Sequence, residues 1–264
     1  VPTVFHEPYI IRGYRRTGMA WFYYLMSIFQ LHNETMNIWS HILGIILILK
    51  SWYNLSYEFD FINDSYSWPL LVGLISSFLL FFFSSFAHCF QSKSELIHHI
   101  VFMFDYVGVG LYSLSSAVMF LEFTSTNQYF YLMIPIFNYL STFLATMVCI
   151  GCCMSKSIYQ KPYPFARKLW QILPIAGIYI LIIAPVVNRL VICYLNRKCL
   201  QSLSTHIEHI LWFLASGFFF SSNIPECWSH LGACDHFFAS HQMFHLSIMC
   251  SILKQFESVT MDFK

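Results

Sequence analysis

Seven stretches of the chain are nearly free of charge and long enough to cross a bilayer as helix. They run over residues 36–55, 68–88, 102–121, 129–152, 169–190, 206–222 and 237–256. About 20 apolar residues span a hydrocarbon core of roughly 30 Å, so each stretch predicts one transmembrane helix. The strict two-residue alternation of a membrane barrel is absent. Pro174 and Pro185 fall inside the fifth stretch, where packing against neighbouring helices tolerates them. The pattern predicts an all-α, polytopic membrane protein: a polar segment over 1–35, a seven-helix domain over 36–256 and a short tail over 257–264. Residue 1 is Val, so the chain reads as a fragment.

Composition agrees. Hydrophobic residues make up 57% of the chain and charged residues 10%, against about 25% charged in a soluble domain. The net charge of +1 gives no reason to expect a nucleic-acid partner. Residues 1–20 carry Glu7, Arg12, Arg15 and Arg16 without an apolar core, which excludes a cleavable signal peptide within them. Several of the nine cysteines, Cys149, Cys152, Cys153 and Cys250 among them, sit in apolar runs and read as small hydrophobes.

The loop cations set an orientation. Arg12, Arg15, Arg16, Lys93, Lys156, Lys161, Arg167 and Lys168 fall on one side, and Arg197, Lys198 and Lys264 on the other. Positive charge favours the cytosol, which predicts a cytosolic N-terminus and, after seven spans, an external C-terminus, in the plasma membrane. Sequons at Asn54 and Asn63 fall outside, and one at Asn33 falls inside.

That topology brings the unusual polar residues to one depth. Ionisable groups within spans are costly and mark function by default. His241 and His245 lie four apart in the run Ser240-His241-Gln242-Met243-Phe244-His245, so both imidazoles leave one helix face. Ser84 and His88 repeat that spacing at the inner end of the second span. Asp105 opens the third span, and Glu34, Asn37 and His41 open the first, all on the inner side. His88, His241 and His245 offer the three imidazoles that a catalytic zinc keeps beside an open position. Asp105 and Ser84 then stand where they can bond a metal-bound water or a substrate oxygen.

Each feature also has a structural explanation. A His-x-x-x-His pair can simply pack, Ser84 can bond its own helix, and Asp105 can sit solvated at the interface. Glu34, Asn37 and His41 can form a helix cap, since acids favour a helix start. Cys227, His230, Cys234 and His236 cluster before the seventh span and could form a second metal site. His98-His99 reads as a solvated loop pair.

Taken as a set, Glu34-Thr35-Met36-Asn37-Ile38-Trp39-Ser40-His41, Ser84-x-x-x-His88, Asp105-Tyr106, Ile224-Pro225-Glu226 and the Ser240–His245 run resemble the progestin and adipoQ receptor family. Val4-Phe5-His6-Glu7, Gly13-Tyr14-Arg15-Arg16 and Asn63-Asp64-Ser65-Tyr66-Ser67-Trp68-Pro69 resemble its membrane progestin receptor branch, near the gamma member. The resemblance implies a haemolysin-III-like seven-helix core with a cytosolic N-terminus and zinc on His88, His241 and His245, beside Ser84 and Asp105. It also implies steroid-responsive signalling, as in the progestin branch, or ceramide hydrolysis, as in the adiponectin-receptor branch. Two departures stand out. The loop over 227–238 lacks the basic character usual in the progestin branch, and members of that branch tend to carry a further helix beyond the point where this chain stops.

Three functions compete on these residues. The first is a receptor whose aromatic-rich bundle takes a steroid or sphingolipid-like ligand from among the membrane lipids and signals to an intracellular partner that the sequence does not identify. The second is a zinc-dependent amidase acting on ceramide-like lipids. In the third, zinc staples the helices and the protein works through partners.

Overall fold

The computed structural model describes residues 1–159, 165–196, 201–230 and 232–263. Lys161, Arg197, Lys198 and Lys264, four of the cations that set the orientation, lie outside the described residues. Among the described residues eight α-helices follow in order: α1 (Trp21–Ser27), α2 (Thr35–Leu55), α3 (Trp68–Phe90), α4 (Glu95–Met119), α5 (Asn127–Ile158), α6 (Phe165–Asn196), α7 (Ser202–Ser222) and α8 (Ser240–Phe263). A π-helical turn, Phe120–Thr124, extends α4. No strand occurs among the described residues.

Helix α1 is a short extra element within the polar N-terminal segment. Each of α2 to α8 overlaps one predicted span. Stretches Thr35–Leu55, Ser65–Phe90, Glu95–Thr124, Asn127–Ile158 and Ala166–Asn196 are long and apolar enough to cross a membrane. Helices α7 and α8, of 21 and 24 residues, have the length but carry more polar side chains. The last helix continues to Phe263, so most of the segment expected as a tail is helical.

Local chemistry explains the helix ends. Ser94 caps α4 by accepting the Ile97 N–H at 3.2 Å, and Thr126 caps α5 by accepting from Tyr129 at 3.3 Å. The Ser94 cap starts α4 at Glu95, earlier than the apolar run suggested. His98 is therefore a fully buried helix residue, edge-on to Phe5 and Phe102, and not half of a solvated loop pair. Asn223 ends α7 in the left-handed conformation (φ 53°), which Asn tolerates well.

The helices pack as neighbours in sequence. Helix α3 lies between α2 and α4, α5 lies between α4 and α6, and α7 pairs with α8, which returns to touch α2. Small residues permit close approach in such a bundle. A Cβ on Gly151 of α5 would stand 2.3 Å from the Trp170 carbonyl oxygen of α6. The core between the helices is built from Leu70, Leu74, Phe81, Met119, Phe120, Phe137 and Ile252, all nearly inaccessible. Leu43, Ile46 and Leu49 of α2 and Tyr139 and Phe143 of α5 face outward, as expected where lipid is the solvent.

Candidate metal centre

Helices α3 and α8 run so that the last turn of one meets the first turns of the other. His88, in the last turn of α3, thereby faces His241 and His245 of α8, with ring centroids 5.3 and 4.9 Å away. His241 and His245 are 4.4 Å apart. The start of α8 is set by Glu226 of the Ile224-Pro225-Glu226 motif. Its carboxylate takes the Ser240 N–H at 2.6 Å and also the Ser240 hydroxyl, which fixes the turn that carries His241.

Helix α2 adds a fourth imidazole. His41 lies 4.1 Å from His245 and 6.1 Å from His88 by ring centroid. Ligating atoms of His41, His88 and His245 all come within 4.8 Å of one another, the one such group among the described residues. Ring nitrogens and ring centres rank the set differently. The centroids of His88, His241 and His245 span at most 5.3 Å, whereas those of His41, His88 and His245 span 6.1 Å. A turn of an imidazole about its own axis moves the nitrogens far more than the ring centre, so His41 and His241 both stand within reach of the third position beside His88 and His245.

The donor set fits a cation. Both ring nitrogens of His41 and of His245, and Nε2 of His88, are buried and find no hydrogen-bond partner. Unpaired buried nitrogens are expensive, and a metal satisfies them. Nδ1 of His88 is held at 2.7 Å by Glu34 Oε2, leaving Nε2 aimed into the cluster. A carboxylate behind a ligating histidine is the usual support for such a site.

Glu34 stands at the N-cap of α2 but makes no side-chain capping bond. Its oxygens go to His88, to Asn33 Nδ2 at 3.0 Å and to Asn37 Nδ2 at 2.7 Å. Burial alone would raise this carboxyl, but the His88 bond and charge, with Asn37 and Arg15, hold it below the usual carboxylate range. Ser84 donates to Asp105, and that pair lies within electrostatic reach of His88. Contacts thus link Glu34, Asn37, His41, His88, His241 and His245, with Ser84 and Asp105 as a separate pair near His88.

Two contributors carried no signal as site residues in the sequence, although Arg15 falls within the Gly13–Arg16 motif. Arg15 is buried and donates to the backbone oxygens of His88 and Cys89, each at 2.6 Å, and to Ser27 Oγ at 3.0 Å. It terminates α3 directly behind the metal candidate. Lys156, read as a loop cation, is buried on α5 with its ammonium 4.0 Å over the Phe102 ring. The N-terminal strap crosses this end of the molecule. Gly13, at φ +83°, receives the Asn33 N–H at 3.1 Å, and a Cβ there would meet His236 at 2.7 Å. Ile11 N–H donates to Asp235 at 2.9 Å.

The loop cysteines form no second centre among the described residues. Cys227 Sγ lies 3.9 Å from the Ser222 oxygen, and Cys234 Sγ lies 3.5 Å from Ser229 Oγ.

A helical bundle with a buried histidine cluster at one end defines the class, and comparison with known proteins supplies the family. Residues 29–256 match the model of haemolysin-III-related proteins. Over its whole length the chain is 37% identical to membrane progestin receptor beta of Homo sapiens and of Sus scrofa, covering 75% of each. It is 35% identical to membrane progestin receptor alpha of Cynoscion nebulosus, covering 74% of that protein. The chain belongs to the haemolysin-III-related family of progestin and adipoQ receptors, and it is an integral, multi-pass membrane protein.

Proposed function

We propose that this protein is a membrane receptor for a steroid or related lipid, built as seven spans with the histidine cluster near the inner leaflet and the N-terminus in the cytosol. The observation that carries the reading is similarity along the whole chain to proteins named membrane progestin receptors. The orientation is supported by the loop cations and by Cys193, which is disulfide-bonded at the end of α6 opposite the histidines, as suits a face turned away from the reducing cytosol. The setting we propose is the plasma membrane.

His88, His241 and His245 would hold the ion, with His41 packed edge-on against His245. Bound zinc supplies a Lewis acid and a water of lowered pKa. Glu34 orients His88, Arg15 anchors the end of α3, and Glu226 anchors the start of α8. These three contacts preset the nitrogens before any ion arrives. The exposed and half-buried aromatic side chains of the bundle offer a rigid, amphipathic lipid large apolar contact at low entropic cost.

The test is saturable binding of radiolabelled progesterone to the purified protein in lipid nanodiscs. Well-folded protein with no saturable component would remove the steroid reading. The Ser84–Asp105 hydrogen bond beside His88 favours one second reading, a ceramide-type amide hydrolase. In that case the purified protein releases fatty acid from ceramide, and Asp105→Ala stops turnover while metal content survives. Retained turnover in Asp105→Ala would exclude Asp105 from the chemistry.

A further inference from the structure

A second polar site lies deep in the bundle, away from the histidine cluster. On α8, Gln255 is ten residues past His245, about 15 Å along the helix. A cavity of about 20 Å³ opens here among α4, α6, α7 and α8, lined by Tyr112, Ser116, Tyr179, His209, Phe213 and Gln255 with neighbouring isoleucines. Three of its polar atoms are buried and find no partner in the protein: Tyr179 Oη, His209 Nε2 and Gln255 Nε2. Their residues are 8%, 2% and 0% exposed, so no bulk water reaches them.

The surrounding bonds fix what each atom can do. Gln255 Oε1 accepts from the Tyr112 hydroxyl and from Ser116 Oγ at 3.3 Å, so its NH₂ faces the cavity as a donor. His209 Nδ1 lies 2.9 Å from the Ser251 carbonyl oxygen and 3.0 Å from Ser251 Oγ, whose proton goes to the His209 carbonyl oxygen at 3.1 Å; the tautomer that satisfies all three carries its proton on Nδ1. Its Nε2 is therefore a bare acceptor. Tyr179 can donate or accept. An oxygen placed among them must accept from Gln255 and donate to His209. A carbonyl cannot donate, whereas a hydroxyl does both. The volume suits one such oxygen, since about 10–15 Å³ holds a water.

We propose that this cavity is a binding site for a single hydroxyl group, held by Gln255, His209 and Tyr179 and tying together α6, α7 and α8. The hydroxyl comes either from a water or from the alcohol end of a lipid. A route for the second would run between α6 and α7. Helix α6 packs along α5 and meets α7 only over a short stretch. There the Tyr179 and Phe213 rings, both lining the cavity, stack at 3.5 Å. Rotation of Phe213 would open it. The lipid source rests on the receptor reading above; the hydroxyl site itself does not.

Tyr179→Phe tests the site in purified protein, since it removes one oxygen and keeps the stacked ring. A bound hydroxyl makes the variant melt about 2–4 °C lower. An unchanged or higher melting temperature overturns the proposal, because a dry cavity gains from losing an unpaired oxygen. Pregnenolone and progesterone, a 3-hydroxy and a 3-keto steroid, then separate the sources in phosphatidylcholine nanodiscs. If a lipid supplies the group, pregnenolone binds at least tenfold tighter to the wild type and Tyr179→Phe erases the preference. If Tyr179→Phe melts lower and the two steroids do not differ, the site stands with water in it. Absence of all steroid binding defeats the receptor reading and leaves the melting result intact.

Discussion

Glu34 and His88 stand 54 residues apart in the chain and 2.7 Å apart in the fold, carboxylate oxygen to Nδ1. The contact ties the start of α2 to the end of α3 and selects which His88 nitrogen points into the cluster. It sets the tautomer as well as the position, because a carboxylate in contact with Nδ1 keeps the proton there and leaves Nε2 free to ligate.

Glu34→Gln should therefore weaken the metal site without unfolding the bundle. The amide keeps the shape but loses the charge and turns one acceptor into a donor, which leaves Asn33 Nδ2, bonded to Glu34 Oε1, without its partner. Losses of this kind cost roughly 10- to 100-fold in metal affinity. Competition against a zinc chelator of known affinity reads the change directly. Equal affinity in the variant would show that the Glu34 charge does not tune the site.

The third ligand can be assigned by single substitutions. With His88, His241 and His245 as the set, His241→Ala drops zinc content well below one per chain, while His41→Ala keeps it. The opposite result places the third nitrogen on His41, as the ring nitrogens are arranged in the structure. Elemental analysis of the two purified variants decides between them.

Arg15 makes a separate prediction about stability. Its guanidinium satisfies two backbone oxygens and Ser27 at once. Arg15→Met leaves those acceptors buried and unpaired, at a cost of about 2–4 kcal/mol. Arg15→Lys recovers little, because a point ammonium cannot fork between the His88 and Cys89 oxygens. Thermal melts of the two variants should fall close together and well below the wild type.

The spans and the Ser84–His88 and His241–His245 spacings were readable because helical period and charge-free length are properties of short windows. The role of Glu34 was not, because a carboxylate at a helix start has a cap as its local explanation, and only the fold shows its oxygens turned to His88. Arg15 bonds a carbonyl 73 residues away and left no trace in spacing. Tyr179, His209 and Gln255 sit singly on three helices, so no motif links them. His98 reads as a loop residue because the apolar run begins only at Phe102, whereas the helix starts from the Ser94 cap three residues before Ile97.

Acidification should expose the last local balance, at His32 in the segment before α2. Its Nε2 lies 3.0 Å from the Ser27 oxygen and its Nδ1 accepts the Glu34 N–H at 3.1 Å, so the neutral ring is satisfied on both sides. Burial, and then the Arg15 charge, lower its pKa from 6.5 to about 4. The folded state refuses a proton that the unfolded chain accepts, so the contribution is complete above pH 6.5. It is lost as pH falls from 6.5 toward 4 and changes no further below that. A shift of this size corresponds to about 3 kcal/mol, some 2 kcal/mol of it gone by pH 5. Melts of metal-stripped wild type and His32→Gln between pH 7.5 and 4.5 separate this group from the cluster histidines. The wild type should lose stability more steeply over that window. Parallel curves would mean that His32 titrates alike in both states, and that the Glu34 N–H does not depend on a neutral ring.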